Sequence, residues 1–150
     1  MKMKNKLTLM MLALLMVAGT VMAQSNHDEE AIKKVVDVAY IEGLHNGGDL
    51  QATESGFHPG FNLLIFRNNM LEFLPIYNWI QMTKQRRKAQ TEPDKEKTTC
   101  VYKNIDITGN AAVAKIELYR SDKLIFTDYL SLYKFEEGWR VVSKIYFRHP

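Results

Sequence analysis

The chain has 150 residues, 46% hydrophobic and 25% charged, with four prolines and one cysteine; this composition fits a globular domain and excludes a collagen-like chain, a disordered chain or a disulfide scaffold. Its formal charge of +3 is carried by Lys2, Lys4 and Lys6, because removing those three from the 20 Lys and Arg leaves 17 against 17 Asp and Glu. That balance excludes the basic surplus that nucleic-acid phosphates require, so no nucleic acid is expected as a partner.

Residues 1–23 read as a cleaved secretory signal: three early lysines, an apolar stretch over residues 7–22, and a small-x-small cleavage site at Val21, Met22 and Ala23. The apolar stretch falls short of the roughly 20 residues that span a bilayer. The expected product is a single domain over residues 24–150, periplasmic or secreted, without stable membrane insertion. Cys100 is alone, so no internal disulfide forms, and His27, His45, His58 and His149 lack metal-ligand spacing. No metal or cofactor is expected.

Asn26 and Glu29 resemble a capping box, and Ile32, Val35, Val36, Ala39 and Gly43 recur at helical spacing up to Gly47-Gly48, predicting a first helix over 28–46. Asp49 can cap a short second helix that stops by Gly56, ahead of His58-Pro59. Residues 61–67 and 70–73 flank Asn68-Asn69 as a small hairpin, and Pro75 suits the first turn of a helix carrying Ile76, Trp79, Ile80 and Thr83 on one side. The basic run Lys84, Arg86, Arg87, Lys88 ends that helix, where cations oppose the helix dipole. Residues 89–97 are polar and read as a loop.

From Thr98 onward the pattern changes to alternating strands over 98–108, 111–120, 124–135 and 139–148, a four-stranded antiparallel meander. Helices first and strands last predict an α+β fold with helices covering one face of a curved, mainly antiparallel sheet. With the turns between those strands setting the register, one face collects Val101, Ile105, Ile107, Ala112, Ala114, Ile116, Leu118, Leu124, Phe126, Leu130, Leu132, Val141, Ile145 and Phe147. Lys103 and Asp128 interrupt this face in one rank, with Ile116 between them and Phe147 beyond. Two strand spacings, about 9.6 Å, separate the two charges, so a pair is expected.

A carboxylate on an apolar face either gains a partner or has its pKa raised towards general acid-base use. Asp128 therefore leads the candidate residues, as a structural ion pair or as a base. Tyr40 and Trp79 can line space left by Ala112 and Ala114, although core packing also accounts for Trp79. His58, in Phe57-His58-Pro59, is either an acid or base near a pocket mouth or a structural residue. The candidate pocket is thus Tyr40, His58, Trp79, Lys103, Asp128 and Phe147, and the candidate catalytic set is Asp128, Tyr40 and His58.

Gly43-Leu44 with Gly48-Asp49, Phe57-His58-Pro59, IDITGNAAVA over 105–114, FTDYLSL over 126–132, and Gly138-Trp139 before a final apolar strand resemble the putative lumazine-binding family. That family is similar to polyketide cyclases of the SnoaL type within the nuclear transport factor 2-like superfamily. The resemblance implies a cone-shaped α+β domain with a pocket between helices and sheet, and a homodimer through the outer sheet face. It also implies that a pocket carboxylate and a first-helix tyrosine, here Asp128 and Tyr40, can act as base and hydrogen-bond donor. Three readings follow: an exported domain binding a small apolar or aromatic molecule, an acid-base enzyme resembling ketosteroid isomerase, and an association module using Tyr119, Ile125, Tyr129 and Tyr133.

Overall fold

The computed structural model describes residues 26–91 and 96–150; the expected signal segment lies outside them. Residues 26–30 are helical and belong to a separate unit from the compact body of residues 31–150. In that body, residues 31–35 make α-helical turns and α1 (Val36–His45) continues with wider, π-type turns. The wide winding persists at its end, where Asn46 N–H donates to the Ile41 carbonyl five residues back at 3.0 Å. α2 (Leu50–Gly56) follows, with the Asp49 carboxylate accepting from Gln51 N–H as an N-cap.

Small residues let α2 press against α1. A Cβ on Gly43 would fall 2.1 Å from Thr53 Oγ1, and one on Gly56 would fall 2.3 Å from Ala39 Cβ. The Thr53 hydroxyl donates to the Ala39 carbonyl at 2.8 Å, satisfying a buried polar group inside this contact.

β1 (Phe57–Arg67) and β2 (Met70–Pro75) form the hairpin, with Asn68 and Asn69 both at positive φ as a two-residue turn requires. α3 (Ile76–Ala89) starts directly after Pro75. β3 (Thr98–Thr108), β4 (Ala111–Arg120), β5 (Lys123–Phe135) and β6 (Gly138–Arg148) make the meander. The hairpin is not a separate element: β1 pairs parallel to β6, giving one six-stranded mixed sheet in the order β2-β1-β6-β5-β4-β3. The three helices cover one face of the curved sheet, as the α+β reading expected. The core lies between them, around Val36, Tyr40, Phe57, Phe61, Ile80, Ala114, Ile116, Leu118, Leu130, Leu132 and Val141.

Alternation is not uninterrupted. Tyr102 pairs with Ile116 but Asn104 with Lys115, so Lys103 is an extra residue in β3. Ser143 pairs with Ser131 but Val141 with Leu132, so Val142 is an extra residue in β6. Each bulge reverses the side-chain parity beyond it. Consequently Thr98, Cys100 and Tyr102 share the inner face with Ile105 and Ile107, while Val101 and Lys103 are exposed. In β6, Trp139 and Val141 point inward, then Lys144 and Tyr146, leaving Ile145 and Phe147 on the outer face, 50% and 59% exposed. The inner rank is therefore Tyr102, Ile116, Asp128 and Tyr146. A third irregularity makes Ile125 the extra residue of β5, where it packs on the core instead of the outer face.

Candidate functional site

Asp128 is fully buried on the inner face of β5. Its partner is not Lys103 but Lys144, whose Nζ lies 2.8 Å from Asp128 Oδ2. Because Asp128 pairs with Tyr146 and Leu130 with Lys144, the two charges are diagonal neighbours on adjacent strands, a much shorter reach than the two strand spacings expected for Lys103. Lys103 instead lies 3.5 Å from Glu117 at the surface.

Tyr40 completes a triad. Its hydroxyl donates to Asp128 Oδ2 at 2.6 Å, and Lys144 Nζ donates to the Tyr40 oxygen. Desolvation first, and then the Asp128 charge, hold the Tyr40 phenol well above its usual pKa, so it remains a proton donor. Burial also lowers the Lys144 pKa, against the opposing pull of Asp128. A buried ion pair survives desolvation only with good geometry and added hydrogen bonds, both of which Tyr40 supplies here.

Rings enclose the lysine. Nζ lies 4.7 Å from the Tyr40 centroid, 5.1 Å from Tyr146, 5.6 Å from Trp79 and 5.8 Å from Phe126. All are within range of cation–π attraction. Trp79, Phe126 and Tyr146 are half-buried, whereas Tyr40, Asp128 and Lys144 are buried.

The wide turns of α1 bring in one more residue. With about one extra residue per turn, positions five apart share a face, and the His45 ring meets Tyr40 edge-on at 4.9 Å. Burial, followed by the nearby Lys144, Arg120 and Arg86 charges, pushes the imidazole pKa down to about 3, so His45 is neutral at physiological pH. Among the described residues, three buried side-chain polar atoms have no hydrogen-bond partner, Arg120 Nε and, in this cluster, His45 Nε2 and Asp128 Oδ1.

α1 itself is held from α3. Arg87 donates to the carbonyls of Gly48, at 2.8 Å, and Gly43, and Arg86 donates to Leu44 at 3.2 Å. The basic run thus does more than oppose its own helix dipole: it satisfies carbonyls at the end of α1.

Residues 27–147 match the model of a family described as putative lumazine-binding. The chain belongs to that family. Among solved structures, this lumazine-binding family chain is similar to a nuclear transport factor 2-like protein of unknown function from Shewanella baltica OS155, at 28% identity over 85% of this chain and 96% of that one, with a TM-score of 0.63. It is also similar to nuclear transport factor 2-like proteins of unknown function from Silicibacter pomeroyi DSS-3 and Methylobacillus flagellatus KT. The first shares 23% identity over 84% of this chain and 98% of that one, with a TM-score of 0.65. The second shares 22% over 83% and 94%, with a TM-score of 0.61. No curated protein matches the chain.

In this family member the structure brings Tyr40, Trp79 and Asp128 together and leaves the other candidates elsewhere. His58 sits where β1 leaves its ladder with β6 between Phe57 and Asn62, accepts from Gly60 N–H at 3.0 Å and stacks on Phe135 at 4.8 Å. Phe135 is seven residues along β5 from Asp128, roughly 23 Å at strand rise. Lys103 and Phe147 are turned outward by the bulges. Sequence reasoning missed Lys144 and His45. Lys144 carried a faint signal, being the charged residue in the middle of the final strand between Arg140 and Arg148, whereas nothing in the sequence announces the wide turns that deliver His45.

Proposed function

We propose that the protein is an exported domain that binds a flat, largely apolar or aromatic small molecule in the cluster of Tyr40, His45, Trp79, Asp128 and Lys144. The observation that carries this reading is the pair of orphaned buried atoms, Asp128 Oδ1 and His45 Nε2, set among aromatic rings. Buried polar atoms are rarely left unpaired in a native protein, and a ligand edge bearing hydrogen-bonding groups satisfies them. Lumazine, named in the family description, is the first ligand to test.

Binding is favoured over proton abstraction from the ligand by Asp128, because Asp128 Oδ2 is already turned to Tyr40 and Lys144, and His58 is remote from it. The signal-like start supports export to the periplasm or beyond. Homodimerisation through the outer sheet face is supported by Val101, Val113, Tyr129, Tyr133, Ile145 and Phe147, all exposed there.

Native mass spectrometry of protein purified gently from the envelope fraction tests all three parts. The expected species is a dimer of chains starting at Gln24, carrying a discrete small-molecule mass. An apo protein that also fails to bind lumazine or other flat aromatics in calorimetric titration would overturn the ligand reading. A monomer at high concentration would overturn the dimer, and a retained residue 1–23 segment would overturn processing.

A further inference from the structure

We propose that Lys144 is a carbonyl-capturing amine, condensing reversibly with a flat aldehyde or ketone that enters the cluster and holding it as an iminium. The inference rests on the ligand-binding reading of this same cluster, and adds a covalent bond and a chemical class to it.

Geometry carries the argument. A buried lysine whose ammonium is poorly solvated is the residue type used for Schiff-base chemistry, because its amine is released more readily than on the surface. Lys144 is 5% exposed, and three of the rings beside it, Trp79, Phe126 and Tyr146, are half-buried and so reach solvent in part. The rings around Nζ suit the flat substituent of an aromatic carbonyl compound. They also favour a cation at that nitrogen, and Asp128 Oδ2 at 2.8 Å balances its charge. An iminium has the same charge as the ammonium it replaces, so the product inherits the stabilisation of the resting pair. Desolvation, lowering the lysine pKa, acts in the same direction.

The proton path is also present. Asp128 takes one proton from the ammonium, and the freed nitrogen pair attacks the carbonyl carbon as the C=O π pair moves to oxygen. That oxygen receives the proton back from Asp128 through Tyr40, whose hydroxyl lies 2.6 Å from Asp128 Oδ2, and the nitrogen, which still carries two hydrogens and a positive charge, gives one of them to Asp128, leaving a neutral carbinolamine. Asp128, with its unpaired Oδ1, passes this second proton to the carbinolamine hydroxyl; the C–O bond breaks, water leaves, and the nitrogen pair closes the C=N bond. Ammonium and carbonyl compound become iminium and water, with charge conserved and nothing oxidised or reduced.

The test is reductive trapping on the purified protein. 2-Naphthaldehyde and cyanoborohydride are added at pH 7, and the modified lysines are mapped by mass spectrometry over time, with exposed Lys103 and Lys123 as internal references. Lys144 is expected to be alkylated about tenfold faster than either reference. Calorimetry with 2-naphthalenemethanol, which fits the same space and cannot condense, runs alongside. Alcohol binding without faster trapping at Lys144 overturns the carbonyl proposal and leaves the pocket standing. Neither binding nor trapping overturns the proposal together with the pocket reading for this ligand class.

Discussion

β4 differs in one respect from β3 beside it and from β6, which carries Lys144. From Ala112 to Leu118, β4 alternates without interruption, and its inner residues are apolar and buried. β3 and β6 each carry one extra residue, Lys103 and Val142, and each changes face there. The regular strand supplies the core. The bulged strands decide which lysine is enclosed and which is in water, so the insertion that interrupts the ladder of β6 is also what aims Lys144 at Asp128.

The comparison is most easily broken at the enclosed lysine. Lys144→Met leaves Asp128 buried and unpaired, and Asp128→Asn leaves Lys144 so; each should lower stability by about 3–5 kcal/mol in urea unfolding. The double variant should lose less than the sum of the two, since neither charge is then stranded. Equal and additive losses would show that the pair is not a unit.

Acidification should produce the next largest effect. The His45 pKa is depressed in the folded state from its usual 6.5 to about 3, so the unfolded chain binds the extra proton between those values. Stability is therefore fully present above pH 6.5 and falls as pH drops towards 3, by about 1.4 kcal/mol per pH unit from this group. Comparing wild type with His45→Gln between pH 6.5 and 5, above the main carboxylate range, isolates the slope; parallel curves would remove His45 from the account.

Smaller effects belong to the outward-turned residues. Lys103→Met breaks only a surface pair with Glu117 and should cost no more than about 1 kcal/mol, against the several for the same substitution at Lys144. Phe147→Asp should change monomer stability by about 0.5 kcal/mol or less while shifting sedimentation from dimer to monomer. A large loss of stability from Phe147→Asp would mean that this ring is packed inward after all.

The fold was legible because its signals are local and repeated: turn residues at Asn68-Asn69, Gly109-Asn110 and Ser121-Asp122 delimit strands that alternate for most of their length. Asp128 stood out for the same reason, as a charge in an apolar rank that β4 and β5 keep in phase. Its partner was not legible, because a bulge reverses a strand by a single residue, and no side chain in Tyr102-Lys103-Asn104 or Val141-Val142-Ser143 requires one. The parallel pairing of β1 with β6 is a long-range choice in the same sense. It joins segments about 80 residues apart, interrupted at His58-Pro59, where proline cannot donate to a ladder.

The arginine contacts from α3 to the end of α1 also set how the cluster can open. Tyr40 and His45 ride on α1 and Trp79 on α3, and two guanidinium-to-carbonyl bonds fasten the two helices together, with a third to Gly48 just beyond α1. Prising them apart would forfeit charge-assisted bonds worth roughly 1.5–3 kcal/mol each. The helical side of the cluster is therefore tied together by main-chain contacts, whereas its sheet side is closed by side chains alone, the half-buried rings of Phe126 and Tyr146 meeting edge-on at 5.6 Å.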